Sequence, residues 1–156
     1  MTQEEAFLKC KKEGKIIAVS GIDIEKVKTT LAIAESDIAS GKLLVGQISK
    51  ESSQWNSVFK LFYDALHELA DSFLRFEEVK FDNHQCLFAY LCEKHPELVF
   101  SWDILEKIRT KRNGINYYGS PIRYEDWKEV EVPFKLYLNK LKEEVRKKIA
   151  ESEKQF

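Results

Sequence analysis

The sequence predicts an all-α protein, an antiparallel four-helix bundle carrying additional short helices. Three observations lead there. Apolar residues recur at steps of three and four over long stretches, the period of helices with one buried stripe. Only six Gly and three Pro punctuate the 156 residues, which favours a few long elements over many short strands. The 44% apolar residues supply a packed core, and the 33% charged residues suit helices with solvated outer faces. The length argues for one domain over 1–156, with 1–22 as a short helix and arm and 23–153 as the bundle.

Each element has its own signal. Thr2 to Glu13 reads as a short helix, capped by Thr2, acidic in its first turn and stopped at Gly14. Lys15 to Ile22 is an apolar connector, too short for periodicity to choose between a turn of helix and an irregular arm. Asp23 caps a long helix to about Gly46, with a seam of Ile24, Val27, Leu31, Ala34, Ile38, Gly41 and Val45. Gly41 sits on that seam, where a missing side chain is expected to let a neighbouring backbone come close. Trp55 to Phe76 has the widest apolar face and is expected to be central, with a polar strip that includes Asp64, His67, Glu68 and Asp71. Asp82 is expected to cap a helix to about Lys94, ahead of Pro96. Ser101 caps the next, from Trp102 to Tyr117 or Tyr118. The last helix spans about Tyr124 to Glu153, with Pro133 expected to kink it or mark a second start.

Several function classes find no support. A net charge of −1 gives no global positive field to attract nucleic acid, so any such affinity must be local. No apolar run approaches the roughly 20 residues of a membrane-spanning helix, so no membrane association is expected. Cys10, Cys86 and Cys92 form no CxxC pair and follow no leader pattern, so they read as buried, reduced thiols in a cytoplasmic protein. No HExxH or Cys/His cluster suggests a metal, and no GxGxxG, P-loop or GxSxG suggests a cofactor or nucleophile elbow.

The informative stretch is Lys107 to Arg123, KIRTKRNGINYYGSPIR, which holds Lys107, Arg109, Lys111, Arg112 and Arg123 and no acid. Arg109, Arg112, Asn113 and Asn116 fall on one helix face. Guanidinium forks and amides there, followed by Tyr117 and Tyr118, suit phosphate binding and base stacking. The competing reading is plain: cations near a helix C-terminus are favoured by the dipole whatever the protein does. Two further groups have two readings each. His67, three residues after Asp64, is either a satisfied, partly buried ring or a carboxylate-paired imidazole reaching the Arg112 face. Asp64, Glu68 and Asp71 either position the arginines for a phosphate or lock them in structural ion pairs.

The order of these parts resembles the HEPN (higher eukaryotes and prokaryotes nucleotide-binding) family. The likeness rests on the arm at Gly14-Lys15-Ile16, the helix LAIAESDIASGKLL, then WNSVFKLFYDALHELADSFL, then Asn83-His84-Gln85, and Arg112-Asn113-Gly114-Ile115-Asn116-Tyr117-Tyr118-Gly119 before the last helix. The family motif is an Arg followed, after a spacer of four to six residues, by a His. Here Tyr117 occupies the nearest slot, and Tyr118 and Gly119 the wider ones. The resemblance implies a nucleotide- or RNA-binding module, homodimeric, working beside a minimal nucleotidyltransferase in a toxin–antitoxin pair, with Tyr117 or Tyr118 as a nucleotidylation site. It implies, as the alternative, a metal-independent endoribonuclease in which Arg112 stabilises phosphoryl charge and Tyr117 or His67 moves the proton. A helical adaptor without ligand is the third reading.

Overall fold

The computed structural model describes residues 1–117 and 119–154, the side chains of Asn116 and Tyr117 excepted. The chain runs α1 (Gln3–Lys12), β1 (Ile16–Ala18), α2 (Ile24–Gln47), α3 (Trp55–Arg75), β2 (Val79–Phe81), α4 (His84–Lys94), a 3₁₀ turn (Pro96–Leu98), α5 (Trp102–Tyr117) and α6 (Tyr124–Glu153). Among the described residues no helix is long and apolar enough to cross a membrane.

The helices begin where local chemistry satisfies their free N–H groups. Thr2 and Glu5 form a reciprocal capping box on α1. The Asp23 carboxylate accepts from Lys26 N–H at 3.0 Å, and the Ser101 hydroxyl accepts from Ile104 N–H at 3.3 Å. The cap of α4 is Asn83 rather than Asp82: its side-chain oxygen accepts from Cys86 N–H at 2.8 Å. Asp82 is instead drawn to Lys15, whose ammonium lies 2.7 Å from its carboxylate. Pro133 lies inside α6, which continues past it, so it marks no second start.

The apolar stripes converge on α3. Val58, Phe59, Phe62, Leu66 and Leu69 are buried there, and α3 packs against α2, α4, α5 and α6. Phe62 lies between α2 and α6, with its ring centroid 4.8 Å from that of Trp127. On α2 the approach that Gly41 permits is made by this ring rather than by backbone: a Cβ at Gly41 would stand 2.6 Å from Phe62 Cε2.

Two expectations are corrected. The Lys15–Ile22 connector contains a strand: Ile16, Ile17 and Ala18 pair antiparallel with Phe81, Lys80 and Val79. Its partner lies more than sixty residues away, beyond the reach of local periodicity. The cysteines are not all thiols. Cys10 of α1 and Cys86 in the first turn of α4 are bonded to each other, and Cys92 alone is free and buried. The pairing arises because α1 packs on α4, bringing the two Cα atoms to 5.7 Å. A bonded pair removes the basis for inferring a reducing compartment from the cysteines.

Candidate functional site

Helix α5 carries the basic stretch, but the fold disperses most of its charge. Lys107 binds Glu129 at 2.7 Å, and Lys111 binds Asp126 at 2.9 Å and Glu129 at 3.2 Å, all across to α6. Arg109 is gripped by Glu106 one turn back, Nε donating at 2.7 Å and Nη2 at 3.0 Å. Gln85 donates to the same carboxylate at 3.0 Å. An acid-free segment is therefore not an acid-free surface. The acids come from the preceding turn and from the neighbouring helix.

Arg112 differs. Its Nε and Nη1 are buried and have no hydrogen-bond partner among the described residues. The guanidinium lies over the Tyr63 ring of α3, 5.8 Å from its centroid, a cation–π arrangement that gives the charge a surface to rest on but no acceptor. A buried donor left without an acceptor costs about 1–3 kcal/mol. An anion entering the site would relieve it.

Arg112 opens on a cleft of about 530 Å³, lined also by Tyr63 and Asp64 of α3, by Asp82 to Gln85 at the start of α4, and by Arg109 and Asn113. Tyr63 and His84 meet here, Oη and Nδ1 at 2.9 Å. Burial pushes the Tyr63 phenol above its ordinary range, so it keeps its proton, and as a hydroxyl it donates to a bare Nδ1 or accepts from Nδ1–H according to the His84 tautomer. In the Nδ1–H tautomer, with Tyr63 Oη accepting, Nε2 of a neutral His84 keeps a free lone pair. The His84 ring stacks on His67, centroids 4.3 Å apart and planes at 24°. Burial, and after it the His84 and Arg112 charges, lowers the His67 pKa to about 4. His84 is exposed as a residue, yet its ring lies against Tyr63 and His67. Burial there, followed by Arg109, holds it below the usual imidazole range. Both rings are neutral near pH 7.

A second, larger cleft of about 880 Å³ adjoins the first and shares Asn83 and His84 with it. It lies between the β-arm, the start of α2 and the His67–Arg75 stretch of α3. Among the described residues no group of three His, Cys, Asp or Glu side chains is placed to hold a metal ion.

The fold thus joins Arg109, Arg112, Asn113 and Asp64 in one cleft, with His67 stacked behind His84. His67 sits 4.0 Å from Asp64, too far for a hydrogen bond. Asp71 is not brought to the arginines of α5; it pairs with Arg75 at 3.1 Å and faces the larger cleft with Glu68. The side chains of Asn116 and Tyr117, and all of Tyr118, lie outside the described residues, so their expected roles do not enter the geometry.

Sequence reasoning missed Tyr63 and took Asn83, His84 and Gln85 only as part of the family likeness. One signal pointed to Tyr63: it stands four residues before His67, on the same helix face. Nothing local pointed to His84 as its partner, since the contact joins α3 to α4. No family model, curated protein or solved structure matches the chain.

Proposed function

We propose that this protein is a HEPN-like module, built on a four-helix bundle, that binds the phosphate of a nucleotide or of RNA in the cleft of Arg112, Tyr63 and His84. The observation that carries this is the buried, unpartnered guanidinium of Arg112 at the wall of that cleft. Neighbouring cations are occupied by carboxylates, whereas Arg112 keeps a charge and two unpartnered donors, Nε and Nη1, and a guanidinium is suited to phosphate oxygens. Asn113, Asn83 and Gln85 add amides around it. The family likeness further implies a homodimer and a nucleotidyltransferase partner.

Anisotropy of a labelled single-stranded RNA in EDTA tests the reading. Arg112→Ala is expected to weaken binding about tenfold or more, the worth of a hydrogen-bonded charge pair. The same variant should melt no lower than wild type, because it removes an unsatisfied buried charge rather than an ion pair. Wild-type affinity in Arg112→Ala would sink the proposal; a large loss of stability would assign Arg112 a structural role.

The histidines favour one second reading, a metal-independent endoribonuclease. His84, neutral and held by Tyr63 in the cleft of Arg112, suits proton transfer better than a phenol such as that of Tyr117, whose ordinary pKa is near 10. His84 Nε2, bare in the Nδ1–H tautomer, takes the proton from the 2′-hydroxyl as the 2′-oxygen bonds to phosphorus. The bond to the 5′-oxygen breaks, and that oxygen takes up a proton, leaving a 2′,3′-cyclic phosphate. Cleavage in EDTA that is lost in both Arg112→Ala and His84→Gln supports it. RNA left intact by wild type returns the protein to the binding reading.

A further inference from the structure

Two arginines and two aspartates line the smaller cleft, and their charges are not equally available. Arg109 is held by Glu106, and Asp82 lies 2.7 Å from the Lys15 ammonium, so each of these pairs is neutral as a unit. Asn83, Gln85 and Asn113 carry no charge, and His84 is neutral. Arg112 and Asp64 remain. Asp64 pairs with no Lys or Arg among the described residues; the ring of His67, 4.0 Å away, is neutral too.

The two remaining charges act on the same place. Asp64 follows Tyr63 in α3, and the Arg112 guanidinium lies over the Tyr63 ring. At His84, after burial and Arg109, Asp64 pulls the pKa up and Arg112 pulls it down. Asp64 does not have to touch a ligand to influence it. A charge is felt through space, in proportion to the charge that the ligand carries.

That proportion separates two kinds of phosphate. An oxygen that reaches the buried Nε and Nη1 of Arg112 must first shed its water. The attraction grows with the ligand's charge, whereas the cost of leaving water grows with its square. One cation opposed by one carboxylate gives a small net potential, and a small potential suits a small charge. A phosphodiester carries one negative charge; a terminal phosphate carries close to two above its second pKa of about 6.

We propose that Asp64 is a selectivity residue of this cleft: by opposing a second negative charge, it makes the Arg112 site take a phosphodiester in preference to a terminal phosphate. This rests on the phosphate-binding reading above and names the class of phosphate that the same site accepts.

Calorimetric titration of the full chain at pH 8 with uridine 5′-phosphate and with its methyl ester provides the test, since the two differ by one charge on one nucleoside. The ester is expected to bind about threefold more tightly. The Asp64 side chain is 44% exposed, so water screens it, and Asp64→Asn should strengthen the ester by only about threefold. The repulsion doubles for the doubly charged ligand, so the monophosphate should gain the square of that factor, about ninefold, and the preference should vanish. Asp64→Glu keeps the charge and should keep the preference. A wild type that binds the monophosphate as tightly as the ester, or an Asp64→Asn variant in which the monophosphate gains no more than the ester, overturns the proposal. If that happens while both ligands are lost in Arg112→Ala, the phosphate site stands and only the selection by Asp64 falls. If neither ligand binds, both readings fall together.

Discussion

Gly41→Ala is a test of how tightly α2 and α3 are packed. An added Cβ would meet the Phe62 ring at 2.6 Å, 3.0 Å and 3.2 Å, all inside ordinary contact. The ring has nowhere to retreat, being fully buried with Trp127 at 4.8 Å and Phe134 at 6.0 Å between centroids. Overpacking a filled core costs about 1–3 kcal/mol. Ala in place of Gly in a helix returns about 1 kcal/mol. The net expectation is a loss of up to about 2 kcal/mol, which for a chain of this size lowers Tm by up to roughly 8 °C. Gly46→Ala, on the same helix, provides the control. Gly46 is exposed with nothing within 4 Å of its Cβ position, so only the propensity gain applies and stability should rise by up to about 1 kcal/mol. Thermal melts followed by circular dichroism read both. Gly41→Ala gaining as much stability as Gly46→Ala would refute the close approach, and with it the placement of Phe62 between α2 and α6.

Two further outcomes follow from the fold. The Cys10–Cys86 bond joins positions 76 apart and fastens α1 to the helix that starts with His84, so its loss should cost about 2–5 kcal/mol. A thiol reductant should lower the Tm of the wild type and leave that of the Cys10→Ala/Cys86→Ala double variant, already low, unchanged; a wild-type melt indifferent to reductant contradicts the bond. His67, with its pKa lowered to about 4 in the folded state against an ordinary 6.5, stabilises the fold while neutral, so the unfolded chain binds more protons between those values. That stability is complete above pH 6.5 and drains as pH falls toward 4, about 2 kcal/mol of it between pH 7 and pH 5. Denaturant melts at the two pH values should show His67→Gln losing correspondingly less, and a His67 ring signal titrating near 6.5 by NMR would rule this out.

Much of the secondary structure was legible because its causes are local. The seam of α2, the broad face of α3 and the span Tyr124–Glu153 are patterns of period 3.6, and Thr2, Asp23 and Ser101 are capping residues acting within one turn. Arg112 and Arg109 were legible as neighbours on one face of α5 for the same reason. Which of them is free was not. Arg109 is taken by Glu106, within the helix, whereas Lys111 is neutralised by Asp126 and Glu129 from another helix.

By itself, then, the sequence determined the helical class, most helix boundaries and the positions of the basic residues, because propensity, capping and periodicity act within a few residues. The tertiary structure decided what had to meet across the chain. It paired Ile16–Ala18 with Val79–Phe81, bonded Cys10 to Cys86, seated Phe62 in the gap left by Gly41, and stacked His67 on His84 beside Arg112. Each of these contacts forms only when helices distant in sequence pack together, and the state of each group, whether paired, dry or unsatisfied, is set by what that packing brings against it.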